Sequence, residues 1–147
     1  MLIDANLLIY AVDERSQFHT AAAEWLTEVL NGGRRIGLPW MSITAFLRIM
    51  TNARATSHPL TAAEATGFVR DWLAVEVVWV PSPGPRHSEI FLGLVDEGLA
   101  GNLISDAHLA AIAIEHGLTL ASNDSDFARF EGVRWENPLL PKGVGGM

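Results

Sequence analysis

Asp4, Asp106 and Asp124 are the residues of this chain whose type and setting best suit chemistry. Asp4 closes the apolar run Met1-Leu2-Ile3, Asp106 stands in Ser105-Asp106-Ala107-His108, and Asp124 opens Asp124-Ser125-Asp126-Phe127. Each adjoins an apolar segment, the pattern expected of acids gathered at one edge of a buried sheet. Carboxylates so gathered are oxygen ligands for a hard divalent cation, and a cation held there can activate water against a phosphodiester.

The elements that must position these acids alternate short strands with longer helices. Met1 to Ile3 reads as a first buried strand with Asp4 at its carboxyl end, followed by a short helix from Asn6 to Val12. A second helix is expected over Phe18 to Leu30, with Ala22, Trp25, Leu26, Val29 and Leu30 on one face and Gly32-Gly33 as its stop. Ile36 to Leu38 is a candidate strand ended by Pro39, and Ser42 a candidate N-cap for a helix carrying Phe46, Leu47 and Met50. Thr61 and Glu64 have the spacing of a capping box, which starts a helix running through Leu73. Val75 to Val80 is the clearest strand pattern, and Pro81 to Pro85 a turn before an amphipathic stretch from His87 to Leu94. A helix from Ile104 to Glu115 ends at His116-Gly117. Leu118 to Ala121 is a further short strand, and Phe127 to Phe130 a small helix.

Such alternation predicts an α/β fold, a three-layer α/β/α sandwich around a mostly parallel sheet. Functional crevices of these sheets lie beyond the carboxyl ends of the strands, where Asp4 and Asp124 both fall. Asp106 lies near a helix start, where the positive end of the dipole tolerates a carboxylate.

Composition sets limits. With 147 residues, 49% of them hydrophobic, the chain can bury one sizeable core. One domain is expected over residues 1–137, followed by a Pro- and Gly-rich tail, 138–147, expected to be flexible. Ten basic against 17 acidic residues give a net charge of −7, which argues against coating nucleic acid by bulk electrostatics. A local basic rim is compatible with that balance, with Arg15, Arg86 and His87 as candidates beside ordinary solvated roles. All basic residues but Lys142 are arginines. That bias suits bidentate contacts to phosphate or carboxylate, and equally a genome rich in arginine codons. The absence of cysteine excludes disulfides, thiolate metal sites and cysteine nucleophiles. No apolar run approaches the roughly 18 residues of a membrane span, and no signal-type segment opens the chain. The expectation is a cytoplasmic protein without membrane contact.

Three segments together resemble the signature blocks of PIN-domain ribonucleases, and more narrowly the VapC-type toxins of bacterial toxin–antitoxin pairs. They are Leu2-Ile3-Asp4-Ala5-Asn6-Leu7-Leu8-Ile9-Tyr10-Ala11, Ser105-Asp106-Ala107-His108-Leu109-Ala110-Ala111 and Ser122-Asn123-Asp124-Ser125-Asp126-Phe127. The ending Arg134-Trp135-Glu136-Asn137-Pro138 resembles that of many such toxins. The resemblance implies one α/β/α domain, dependence on Mg²⁺ or Mn²⁺, endonucleolytic cleavage of RNA, a homodimer, and inhibition by a cognate antitoxin protein. It implies that Asp4 and Asp106 are the principal metal ligands and catalytic acids, that Asp124 completes the cluster, and that Asp126 assists from outside it. Asn6 either orients Asp4 or caps the first helix. Arg48 either binds a phosphate near the acids or pairs with a carboxylate.

One position departs from the pattern. The family's further acid, a glutamate before Phe-Leu-Arg, is replaced by Ala45 in Thr44-Ala45-Phe46-Leu47-Arg48. With Ser42 as N-cap, Ala45 would also be the N3 position, where a glutamate would complete a capping box. Either this branch dispenses with the acid, or Asp96 or Glu97 replaces it, or the chain carries an introduced change. The departure motivates a second reading, a silent binding module that occupies an antitoxin or RNA without cutting. A phospho-accepting receiver domain of similar architecture would need a lysine near the acids, and the sole lysine, Lys142, lies in the tail.

The remaining polar and aromatic candidates read as structural. His108 and His116 are eight positions apart on one expected helix, too far for the i, i+4 spacing of a zinc pair. His19 and His58 carry no spacing signal. Trp25, Trp40, Trp72, Trp79 and Trp135 fall mostly on apolar faces and are expected in the core rather than as base-stacking platforms.

Overall fold

Five short strands, all parallel, lie at the centre of the computed structural model, which describes residues 1–141. They are β1 (Leu2–Ile3), β2 (Ile36–Gly37), β3 (Val78–Trp79), β4 (Leu120–Ala121) and β5 (Trp135–Glu136), in the order β3-β2-β1-β4-β5. Six α-helices connect them: α1 (Ala5–Val12), α2 (His19–Leu30), α3 (Trp40–Met50), α4 (Ala62–Ala74), α5 (His87–Val95) and α6 (Asn102–His116). A 3₁₀ turn, Ser125–Arg129, follows β4.

Successive strand residues point to opposite faces, so the sheet builds two cores. Ile3, Ile36 and Ala121 join Leu7, Leu26, Ile43, Phe46 and Trp72 in the core under α1 to α4. Leu2 and Leu120 join Leu94, Ala107, Ile112 and Phe127 under α5 and α6. Helices thus cover both faces of a parallel sheet, as expected for the α/β/α sandwich. Gly37 is required in β2, between β1 and β3, because a Cβ there would meet the Pro81 side chain at 2.7 Å and Leu2 at 3.2 Å. Gly117 ends α6 at φ 64, the left-handed conformation that closes a helix most readily without a side chain.

The capping box forms as expected: the Glu64 N–H donates to Thr61 Oγ1 at 3.1 Å, and the Thr61 N–H to Glu64 Oε1 at 3.0 Å. Ser42 is not a cap. Pro39 is the N-cap of α3, and Ser42, buried inside the helix, donates its hydroxyl to the Ile3 carbonyl at 2.7 Å. Ala45 is therefore in the second turn, not at N3. Nor is Val75 to Val80 a long central strand: Val75 caps α4, and only Val78–Trp79 pair with β2, at the half-buried edge of the sheet. A run of β-branched residues was spent partly on the turn that brings the chain into the sheet. α6 starts earlier than expected, at Asn102, so Asp106 lies in its second turn.

The expected flexible tail divides. Leu139 packs on the core under α1 to α4, and its N–H donates to Asn137 Oδ1 at 3.0 Å. Residues 142–147, Lys142 among them, lie outside the described residues. Trp72 is buried and Trp25, Trp79 and Trp135 are half-buried, whereas Trp40, expected in the core, is 56% exposed at the start of α3. Among the described residues no helix is long and apolar enough to cross a membrane.

Candidate metal centre

Asp4 leaves β1 at its carboxyl end and caps α1, its Oδ1 accepting the Ala5 N–H at 2.8 Å. The register pairs Ile3 with Ala121, so the next residues, Asp4 and Ser122, emerge side by side. Ser122, fully buried, donates its hydroxyl to Asp4 Oδ2 at 2.7 Å. Ser122 Oγ in turn accepts from Asn6 Nδ2 at 3.1 Å and from the Asp124 N–H at 3.0 Å. One hydroxyl thus fixes the carboxylate of β1, the amide of α1 and the turn after β4. Asn6, which the sequence offered as an orienter of Asp4 or as a cap, acts on Asp4 through Ser122.

Asp124 turns the chain into the 3₁₀ segment, its Oδ1 accepting the Asp126 N–H at 2.9 Å. That Asx-turn leaves Oδ2 for a further partner. Asp106 reaches the same place from α6, and the carboxylates of Asp106, Asp124 and Asp126 bring oxygens within 4.8 Å of one another. Asp126 therefore stands within the tightest group of acids, while Asp4 stands beside it, tied to Ser122 and Ala5. Octahedral Mg²⁺ places opposite oxygens about 4.2 Å apart, so a small contraction of these side chains matches a hard divalent cation. The donors are all oxygen, as such an ion requires.

Electrostatics agree with that fit. Burial pushes the Asp4 carboxyl above its ordinary range, and the Asp124 charge adds to this, against the lowering effect of the bonds from Ser122 and Ala5. Asp106 is pushed up to about 6, first by burial and then by the charges of Asp124, Asp4 and Asp126. Arg129 acts in the opposite direction on Asp106. Crowded carboxylates repel one another, and a divalent cation bound among them relieves that repulsion.

Four partners escaped the sequence reading. Ser122 follows β4 as Asp4 follows β1, and that shared strand-end position was the available signal. Arg129 lies three residues after Asp126 and pairs with it, Nη2 to Oδ1 at 3.8 Å. Asn137 donates to Asn123 Oδ1 at 2.9 Å and Trp135 Nε1 to the Ser122 carbonyl at 3.0 Å, so β5 and the residue after it brace the turn that carries Asp124.

Other expectations fall away from the acids. Arg48 is exposed in the last turn of α3, with no side-chain hydrogen bond or ion pair among the described residues, and the arginine beside the cluster is Arg129. Asp96 and Glu97 are exposed at the end of α5 and are not among the charges that act on Asp106, so neither takes the place left by Ala45. Arg15 bonds Ser57 and His58 across two loops. His87 is not a rim residue: it stacks on Phe91 and meets His108 at 2.9 Å, Nε2 to Nδ1. His108 and His116 have the structural roles expected, the latter against the Ser82 carbonyl at 2.7 Å.

Comparison with known proteins places this geometry in context. The profile of the PIN domain family matches residues 1–133. The chain is similar to Ribonuclease VapC37 of Mycobacterium tuberculosis, 41% identical over 138 residues that cover 93% of this chain and 96% of the relative. It is likewise similar to Ribonuclease VapC33 of the same species, 44% identical over 137 residues, covering 92% and 96%. In fold it is similar to a VapBC2 complex from Rickettsia felis bound to promoter DNA, with a TM-score of 0.67 at 15% identity over 92% of this chain and 96% of that one. VapC20 of Mycobacterium tuberculosis, described as a sarcin-ricin loop cleaving toxin, superposes with a TM-score of 0.63 at 18% identity, over 90% of this chain and 98% of that one.

Proposed function

The chain belongs to the PIN-domain family, among its VapC-type ribonucleases, and on that premise we propose that Asp106, Asp124 and Asp126, with Asp4 beside them, hold the divalent cation with which it hydrolyses RNA. The observation that carries this reading is the convergence of three carboxylates from α6 and the turn after β4, next to a fourth at the end of β1. The cation is Mg²⁺ or Mn²⁺, whose preference for oxygen fits the donor set. When bound it supplies charge neutralisation at the scissile phosphate and a more acidic water.

The chain's own residues do the positioning. Ser122 and Ala5 hold both oxygens of Asp4, so that carboxylate presents a fixed lone-pair direction to the cluster. Asp124, bonded through Oδ1 to its own turn, offers Oδ2. Asp106, on the rigid α6, brings its carboxylate against the loop acids from the other side. The acids serve as ligands, and whichever oxygen remains free of the cation can orient the attacking water.

The wider role is that of the toxin in a toxin–antitoxin pair. The solved relatives in complex with antitoxins support an antitoxin protein as partner, and the resemblance supports a homodimer acting on RNA in the cytoplasm. The silent binding module suggested by Ala45 is disfavoured, because the acids converge without an acid at that position and the relatives are named ribonucleases.

The test is cleavage of RNA by the purified chain with Mg²⁺, Mn²⁺ or EDTA, beside Asp106→Asn. Cutting that needs the cation and is lost in the variant supports the reading. Cutting that survives both EDTA and the substitution overturns it.

A further inference from the structure

Arg129 is the one basic side chain in an ion pair with a site acid among the described residues. It stands three positions after Asp126 in the 3₁₀ turn Ser125–Arg129. In a 3₁₀ helix, residues i and i+3 eclipse, so the turn itself sets the guanidinium above the Asp126 carboxylate. The contact is loose, 3.8 Å, and about half of each side chain is open to solvent, 49% and 50%. Ion pairs of that length and exposure contribute little to stability, so the guanidinium is tethered there without being locked.

Its position has a consequence once Asp126 takes a divalent cation. Two cations beside one carboxylate repel each other, and each weakens the other's attraction to it. Neutralising Asp126 weakens its already loose hold on the guanidinium, which is then free to take another anion at the rim of the site. A polynucleotide supplies one there, since the phosphates beside the scissile bond come with it. The planar fork of arginine matches two phosphate oxygens, and at a net charge of −7 bulk electrostatics contribute little to holding a polyanion, which leaves more to individual contacts.

We propose that Arg129 is an exchangeable counter-charge, pairing with Asp126 in the cation-free site and gripping a phosphate next to the scissile one when cation and RNA are both bound. This rests on the reading above that the cluster holds a divalent cation and that the substrate is RNA. Arg129 is then a substrate-binding residue and not a metal ligand. Its loss weakens RNA binding while leaving cation binding intact or tighter.

The experiment measures the two affinities separately on the full chain. Mn²⁺ binding is read by calorimetry, and binding of a short single-stranded RNA by fluorescence anisotropy with Ca²⁺ as the cation, across a salt series. Arg129→Ala is expected to bind Mn²⁺ at least as tightly as the wild type and RNA about tenfold more weakly. The slope of log affinity against log salt should shrink by roughly 0.7, the value of one phosphate contact on a single strand. Arg129→Lys should keep most of that slope. Replacing each RNA phosphate in turn by a neutral methylphosphonate should find one position where the wild type falls to the level of Arg129→Ala and the variant is indifferent.

Equal RNA affinity and equal salt slope in wild type and Arg129→Ala overturn the proposal. Loss of Mn²⁺ binding in Arg129→Ala also overturns it, showing that the side chain only shapes the turn. If the wild type loaded with cation binds no RNA, the RNA reading itself falls and this inference with it.

Discussion

The Ser122 hydroxyl donates to the Asp4 carboxylate at 2.7 Å, from the residue after one strand to the residue after its neighbour. With both oxygens of Asp4 occupied, by Ser122 and by the Ala5 N–H, this acid is the best-fixed member of the site.

Ser122→Ala removes three hydrogen bonds at one buried point, those to Asp4, Asn6 and the Asp124 N–H. The groups left without a partner cost about 1–3 kcal/mol of stability. Loss of an outer support of this kind also lowers cation affinity about 10- to 100-fold. Urea unfolding and Mn²⁺ calorimetry on the variant check both. Stability and affinity equal to the wild type would show that Asp4 needs no such support.

Asp106→Asn removes one acid of the crowded group. RNA cleavage is expected to drop to background while the metal-free protein melts higher, because the repulsion from Asp124, Asp4 and Asp126 is gone. Solvent at the half-buried Asp106 keeps the gain small, about 2 °C in Tm. Thermal unfolding in EDTA reads it. A lower Tm in the variant would contradict the repulsion.

The same acid gives the pH dependence. Its folded pKa, pushed from 3.8 up to about 6, means that the folded chain holds more protons than the unfolded one between those values. Its contribution to metal-free stability is therefore lost as pH rises through that window. The Tm difference between Asp106→Asn and wild type should vanish near pH 4 and grow towards pH 7. Mn²⁺ affinity should move the other way, rising with pH most steeply around 6, as protons cease to compete for the carboxylate. A flat affinity from about pH 5 to 7 would count against Asp106 as a ligand.

Ala45 lies one helical turn from Ser42, whose hydroxyl meets the carbonyl just before Asp4, so both sit on the same face of α3. Ala45→Glu is expected to add a carboxylate to the cluster and tighten Mn²⁺ several-fold, with faster RNA cleavage. Calorimetry that shows no change would mean this face of α3 does not reach the cation.

Much of the design was legible because it is local or periodic. The apolar run ending in Asp4, the capping box at Thr61 and Glu64, and the glycine that closes α6 each declare themselves within a few residues. The acids were found for the same reason, each at an apolar boundary. What was missed depends on pairing between distant segments. Val75 to Val80 has strong strand composition, but only the two residues that meet β2 at the sheet edge are paired. Trp135–Glu136 carry no such run, and they become a strand because Leu120–Ala121 need a neighbour. Ser42 has the composition of a cap, but the chain had already entered its helix at Pro39 and used the hydroxyl on Ile3 instead. Asp126 and Arg129 gained their roles from the tightness of a 3₁₀ turn, which no propensity announces.

The strand order also sets when this enzyme can exist. β1 leaves the ribosome well before β4 and cannot pair with it until the chain 118 residues later has emerged, since Asp4 and Ser122 are that far apart in sequence. Contacts of such separation form late, after the loop between them has been closed. During synthesis the first acid waits at an unfinished edge, and the last strand, β5, completes the support of the others. A chain released short of Trp135 would carry every acid of the cluster and lack the brace that holds Asp124 in place, so premature termination should yield an inert product rather than a destructive one.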